Sequence, residues 1–271
     1  MELLEIFGYV GALFMGLTLG LLGAGGSILT VPVLYYLFQV DAVLSTAYSL
    51  FIVGITALAG AVPNMRKGLV NYRIAILFAI PSLIAVYLAR AFIVPAIPAS
   101  LTTIGSLEIT KDIAILVFFA IIMLLAAWSM LRNGRKEEAE TQLHSHSRNY
   151  MLILLEGLVV GLITGIVGAG GGFLIIPALV ILGKVPMKLA VGTSLLIIAI
   201  KSIIGFMGDV QSGQDIDWIF LALFTSITVV GILIGTWMSN FVEGKKLKVA
   251  FGWFVLAMGV YIIIKELFLD A

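Results

Sequence analysis

The sequence predicts an all-α integral membrane protein made of two repeats lying in the bilayer with opposite orientations. Three observations carry this expectation. Of 271 residues, 61% are hydrophobic and 11% charged, and the mean hydropathy is +1.17. A soluble domain carries about 25% charged residues. The apolar residues gather in runs of about 20, the length that crosses a hydrocarbon core of ≈ 30 Å. A glycine-rich signature occurs twice at a fixed spacing.

Ten apolar segments can be placed, at 3–22, 27–38, 43–63, 73–95, 112–131, 150–167, 173–183, 187–207, 218–239 and 247–268. They are rich in Leu, Ile, Val, Phe, Ala and Gly and do not alternate in polarity as barrel strands do. Segments 27–38 and 173–183 reach only about 17 Å as helices. They are read as return arms of two hairpins, which leaves six full spans. The polar stretch 132–149 is read as a cytoplasmic linker between a first repeat (1–131) and a second (150–271). The acidic start, Met1–Glu5, lacks the basic region of a signal peptide.

Composition excludes several classes. There are no cysteines, hence no disulfide framework, thiolate metal site or redox dithiol. A net charge of +1 gives no nucleic-acid surface. His144 and His146 sit in the linker without further ligands, so no metal site is expected. No Ser–His–Asp or paired-carboxylate set lies in the apolar runs, and no phosphate-binding Walker loop occurs. Neither an enzyme nor a cofactor is expected.

The repeat is Gly16-Leu-Thr-Leu-Gly20-Leu-Leu-Gly23-Ala24-Gly25-Gly26-Ser27, leading to Pro32. It returns as Gly161-Leu-Ile-Thr-Gly165-Ile-Val-Gly168-Ala169-Gly170-Gly171-Gly172, leading to Pro177. The offset of 145 holds from Gly16/Gly161 to Gly60/Gly205, with 18 of 45 positions identical. Because these include six glycines, an alanine, a proline and a serine, apolar composition alone does not account for them. Asn71-Tyr72 and Asp217-Trp218 correspond after a one-residue slip.

Basic residues mark cytoplasmic loops. Arg66, Lys67 and Arg73 mark one. Arg132, Arg135, Lys136 and Arg148 mark the linker. Lys184 with Lys188, and Lys245 with Lys246 and Lys248, mark two more. Arg90, Lys111 and Lys265 fall on the other side. The loop after 43–63 is then inside and its counterpart after 187–207, with Asp209, Asp215 and Asp217, outside. That inversion is a transporter pattern, and it puts both termini outside.

Each glycine tip leads into a short helix whose first N–H groups lack intrahelical partners. Such donors suit an anion. The candidates are Gly25, Gly26 and Ser27 in the first half and Gly170, Gly171 and Gly172 in the second, with both tips meeting near the midplane. The next helix of each half adds a small or polar stripe: Ser49 and Thr56 in one, Thr193, Ser194 and Lys201 in the other. Lys201 is the one cation inside an expected span, about 21 Å from its inner end. The glycines also suit close helix packing, the role read for Gly16, Gly20, Gly161 and Gly165. Glu156, about 9 Å from the inner end, is read as interfacial, with proton coupling as the alternative.

The paired signatures Gly20-x-x-Gly23-Ala24-Gly25-Gly26 with Pro32 and Gly165-x-x-Gly168-Ala169-Gly170-Gly171-Gly172 with Pro177, followed by Gly192-Thr193-Ser194, resemble the sulfite exporter TauE/SafE family. The resemblance covers nearly the whole chain. The first half departs from it, with Ala47-Tyr48-Ser49 where the second has Gly192-Thr193-Ser194. It implies export of sulfite or a small organosulfonate across a prokaryotic inner membrane. The expected function is therefore a secondary anion transporter working by alternating access. A passive anion channel and a non-catalytic membrane subunit of a larger complex are the alternatives. Expected partners are a small anion, the lipid bilayer, a coupling ion (proton or sodium) and a second copy of the chain.

Overall fold

The computed structural model describes residues 3–23, 26–98, 100–104, 107–133, 150–167, 172–179, 185–239, 241 and 244–266. The first half contains α1 (Leu3–Leu22), α2 (Ser27–Leu37), α3 (Ala42–Arg66) and α4 (Tyr72–Leu88). α4 continues through a π turn (Ala89–Ile93) into α5 (Val94–Ala96). An antiparallel ribbon of β1 (Ser100–Ile104) and β2 (Leu107–Thr110) leads to α6 (Lys111–Asn133). The second half contains α7 (Tyr150–Val167), α8 (Gly172–Pro177), α9 (Met187–Gln211), α10 (Trp218–Met238) and α11 (Gly244–Ile264).

Among the described residues, five stretches are long and apolar enough to cross a membrane: Glu5–Leu22, Ala42–Arg66, Tyr72–Ala96, Lys188–Gln211 and Trp218–Met238. α6 and α11 add helices of 23 and 21 residues. Polar caps fix where three helices begin. The side chains of Asp41, Asn71 and Asp217 accept from backbone N–H groups in the first turns of α3, α4 and α10, satisfying donors that a helix leaves open. The ribbon departs from the all-helical expectation. Residues 100–110, between the apolar segments 73–95 and 112–131, pair Thr103 with Glu108 and Ile104 with Leu107. Thr102, Thr103, Ile104 and Ile109 are β-branched, which suits extended backbone.

Lipid-facing and inward-facing sides separate cleanly on α4. Ile76, Ile80, Ile84 and Leu88, at four-residue spacing, are exposed, while Ile74, Phe78, Ser82 and Val86 are buried. Phe7, Val10 and Phe14 on α1, and Leu223, Val230 and Trp237 on α10, are likewise exposed. So continuous an apolar surface is stable only against lipid. Inside lie polar side chains: Ser49, Thr56, Ser82, Arg90, Thr193, Ser194, Lys201 and Ser202 are all at most 1% exposed.

Close packing of α1 on α10 and of α7 on α4 depends on the signature glycines. A Cβ on Gly16 would strike the carbonyl of Thr228, and one on Gly161 the backbone of Ser82. One on Gly20 would meet Ile232 and Gly235, and one on Gly165 would meet Val86 and Ala89. The obstructing atoms are mostly backbone and cannot turn aside. Gly161→Val is therefore expected to cost more than the ~1–3 kcal/mol of ordinary overpacking, read as a fall in thermal unfolding temperature in lipid. Between these pairs α3 crosses α9, with Gly54 against Ser202 and Ile203.

Candidate functional site

Lys201 stands halfway along α9. Its side chain is fully buried, and Nζ donates to Thr164 Oγ1 on α7 at 2.8 Å. An ammonium carries three donors, and Thr164 is its hydrogen-bond partner among the described residues. No carboxylate of a described residue pairs with it. Buried hydroxyls without a partner occur on the helices around it: Ser202 is adjacent on α9, and Ser82 lies on α4 against Gly161, one turn before Thr164. The result is a buried amine in an apolar interior, with hydroxyls on its own and neighbouring helices. Burying an ammonium there without a counter-charge costs several kcal/mol.

The equivalent place in the first half is neutral. At the 145-residue offset, Thr56 corresponds to Lys201 and Leu19 to Thr164. There Thr56 Oγ1 lies 2.7 Å from Thr228 Oγ1. Leu19, Thr30, Thr56 and Thr228 line a cavity of about 10 Å³, room for about one water. Thr30 Oγ1 is buried there without a partner.

The other expected site residues serve different places. Ser194 Oγ donates to Val191 O at 2.8 Å and to Gly23 O at 3.2 Å, so it holds the first glycine turn. Gly23 has φ 72°, a left-handed conformation that suits glycine. Thr193 Oγ1 accepts from Asn71 N at 2.9 Å. In matching fashion, Tyr48 Oη accepts from Asp217 N at 2.7 Å. Tyr48 and Thr193 correspond at the repeat offset, as do the capping residues Asn71 and Asp217 after the slip. Thr193→Val leaves the Asn71 N–H without its acceptor, an expected loss of about 1–3 kcal/mol in thermal unfolding. Ser49 is buried with its hydroxyl unpartnered. Gly26 packs on Met15 and Leu19, and Ser27 and Gly172 are buried at the starts of α2 and α8. Gly25, Gly170 and Gly171 lie outside the described residues.

Gly23 and Gly165 pack at different levels along α9, and the second glycine tip, 168–171, lies outside the described residues. Gly23 sits on Val191 and Ser194, near the start of α9. Gly165 sits near the end of α4, where its carbonyl accepts from Arg90. Arg90 in turn pairs with Asp209, near the end of α9. Ser194 and Asp209 are about 22 Å apart along that helix. The arms that lead to the two tips, α1 and α7, have 20 and 18 residues. Lys201 lies between the two levels.

Sequence reasoning missed the pairing of Arg90 and Asp209. Arg90, read as a residue of the outer side, is fully buried. Its Nε donates to Asp209 Oδ1 and Oδ2 at 2.8 Å each, its Nη1 to Thr46 Oγ1 at 2.7 Å, and its Nη2 lies 2.6 Å from Asp209 Oδ1. One guanidinium thus joins α3, α7, α9 and the π turn. π turns often mark functional positions. At the repeat offsets Asp209 corresponds to Asn64 and Arg90 to Thr236, so no ion pair can form between these counterparts.

The fold is that of a multi-pass helical membrane protein. The chain belongs to the sulfite exporter TauE/SafE family, whose match covers residues 9–262. It is 29% identical over 252 residues to a probable membrane transporter protein of Xylella fastidiosa, covering 92% of this chain and 91% of the relative. It is 23% identical to the probable membrane transporter protein YunE of Bacillus subtilis, covering 94% and 96%. A 116-residue stretch is 33% identical to the probable membrane transporter protein MJ0441 of Methanocaldococcus jannaschii, covering 41% and 43%. No solved structure matches the chain.

Proposed function

We propose that this protein is a secondary transporter that moves a small anion, sulfite or an organosulfonate, out of a prokaryotic cell across the inner membrane. The observation that carries this reading is Lys201, buried at mid-helix with a hydroxyl for a partner and no described carboxylate to balance it. The transported anion supplies the missing charge, held by Lys201 Nζ with the hydroxyls of Thr164, Ser82 and Ser202 replacing its water. The tips at Gly26, Ser27 and Gly172 line the approaches on either side.

Alternating access follows from two features. Lys201 is fully buried, so helices must part to admit an anion to it. The matching contacts, Gly16 on Thr228 with Gly161 on Ser82 and Tyr48 on Asp217 with Thr193 on Asn71, support a reading of two inverted halves related by an axis in the membrane plane. The Gly23 turn closes the cytoplasmic approach at Ser194. The Arg90–Asp209 pair closes the outer one.

The test is flux of labelled sulfite, organosulfonates, sulfate and carboxylates in proteoliposomes holding the purified chain. Saturable uptake of a sulfur oxyanion, accelerated by the same anion on the opposite side, is expected. Flux without that acceleration would make the protein a channel. No flux from the chain alone would make it a subunit of a larger complex.

A further inference from the structure

We infer that Glu156 is a proton-binding residue of the transport cycle, loaded together with the anion; this rests on the anion-transport reading above. Glu156 lies half-buried on α7, and both carboxyl oxygens are buried without a hydrogen-bond partner among the described residues. It shares a helix face with Ile153, Val160 and Thr164, at spacings of three, four and eight residues. Ile153 and Val160 belong to an apolar cluster with Ala75, Phe78 and Leu179. An ionised carboxyl stranded there is costly and a protonated one much less so. A carboxyl with no structural partner inside a membrane helix is the type of group that relays protons.

The charged and titratable groups on the elements packed around α7 are few. α4 brings Tyr72 and Arg73 at its foot and Tyr87 toward its far end, and the π turn brings Arg90, already bound to Asp209. α6 brings Arg132, stacked on Trp128 at its end, with Lys111 and Asp112 at the other. α9 brings Lys188 at its start, then Lys201 and Asp209. α8 brings none. Lys201 alone reaches the Glu156 face, through Thr164, about 12 Å up the helix.

Charge balance fixes the coupling. Without the anion, Lys201 stabilises an ionised Glu156. With the anion bound, that field is cancelled and Glu156 takes up a proton. At about 12 Å and an effective dielectric of about 20, one such charge changes the other equilibrium by about tenfold. Proton and anion therefore load together and cross together.

The experiment measures binding of methanesulfonate, whose charge does not vary with pH near neutrality, to the purified full chain in lipid. Affinity of the wild type should rise about tenfold as pH falls through the carboxyl range. Glu156→Gln should bind tightly at every pH, and Glu156→Asp should keep the pH dependence. An infrared band of a buried protonated carboxyl, lost in Glu156→Gln, should accompany this. Equal pH dependence in wild type and Glu156→Gln, or no such band, overturns the assignment while leaving anion binding intact. Absence of sulfonate binding at every pH overturns the transport reading and this inference with it.

Discussion

Lys201→Met is expected to abolish anion transport while leaving the protein as stable as the wild type or more so. Methionine keeps the length and apolar stem of lysine but removes the charge. If the ammonium's counter-charge arrives only with substrate, the empty protein bears the cost of burying it alone, and Met relieves that cost. The anion loses its principal partner. Truncating one member of a buried charge pair costs about 2–5 kcal/mol, about 30-fold to several thousandfold in affinity. Binding and flux should collapse while thermal unfolding in lipid moves upward or not at all. A lysine serving only packing would give the reverse: lower stability with near-normal transport. Thr164→Val removes one hydroxyl and should weaken binding less, by about 1 kcal/mol.

Arg90→Ala and Asp209→Ala are each expected to destabilise the protein by about 3–5 kcal/mol, because each strands a buried charge. Arg90 donates to Asp209, Thr46 and Gly165, so its loss also frees the joint between α3, α7 and α9. The double variant Arg90→Met, Asp209→Leu should recover most of the stability, since neither charge is left alone. Thermal unfolding of the three variants in lipid provides the check. If the pair closes the outer approach, the double variant should also admit a membrane-impermeant thiol reagent to a cysteine placed at Ser49, which the wild type protects. Full protection in a folded double variant would leave the pair without a gating role.

How much the sequence disclosed depends on where each signal lies. Apolar runs are local, so helices at 3–22, 43–63, 187–207 and 218–239 were legible, with ends off by a few residues. The glycine register was legible because six glycines in phase are improbable in Leu-rich sequence, and the spacing also exposed Asn71-Tyr72 and Asp217-Trp218 as counterparts. Lys201 stood out as a cation inside a run. Arg90 did not, because it falls near an expected helix end and its partner lies 119 residues away. The π turn that aims it inward leaves no pattern in a run such as Ala89-Arg-Ala-Phe-Ile93. A signal existed at Asp209: its counterpart Asn64 is also polar, which argues against a simple loop position. The glycine tips were placed near the midplane from the length of the short return arms, and the second tip, 168–171, lies outside the described residues. Thr193 and Ser194 were read as anion ligands from residue type and helical spacing, and their hydroxyls bond Asn71 and the Gly23 turn. That choice depends on which backbone groups come near, and one-dimensional spacing does not contain it.

The most direct measurement is a structure of the chain in lipid with a sulfur oxyanion bound, sulfite or methanesulfonate, located by anomalous scattering or high-resolution density. The account predicts the oxyanion within hydrogen-bond distance of Lys201 Nζ, with the Lys201–Thr164 contact shared or broken to receive it. An oxyanion seated elsewhere, with Lys201 still bonded to Thr164 alone and buried away from it, would contradict the claim that this lysine awaits its counter-charge from the transported ion.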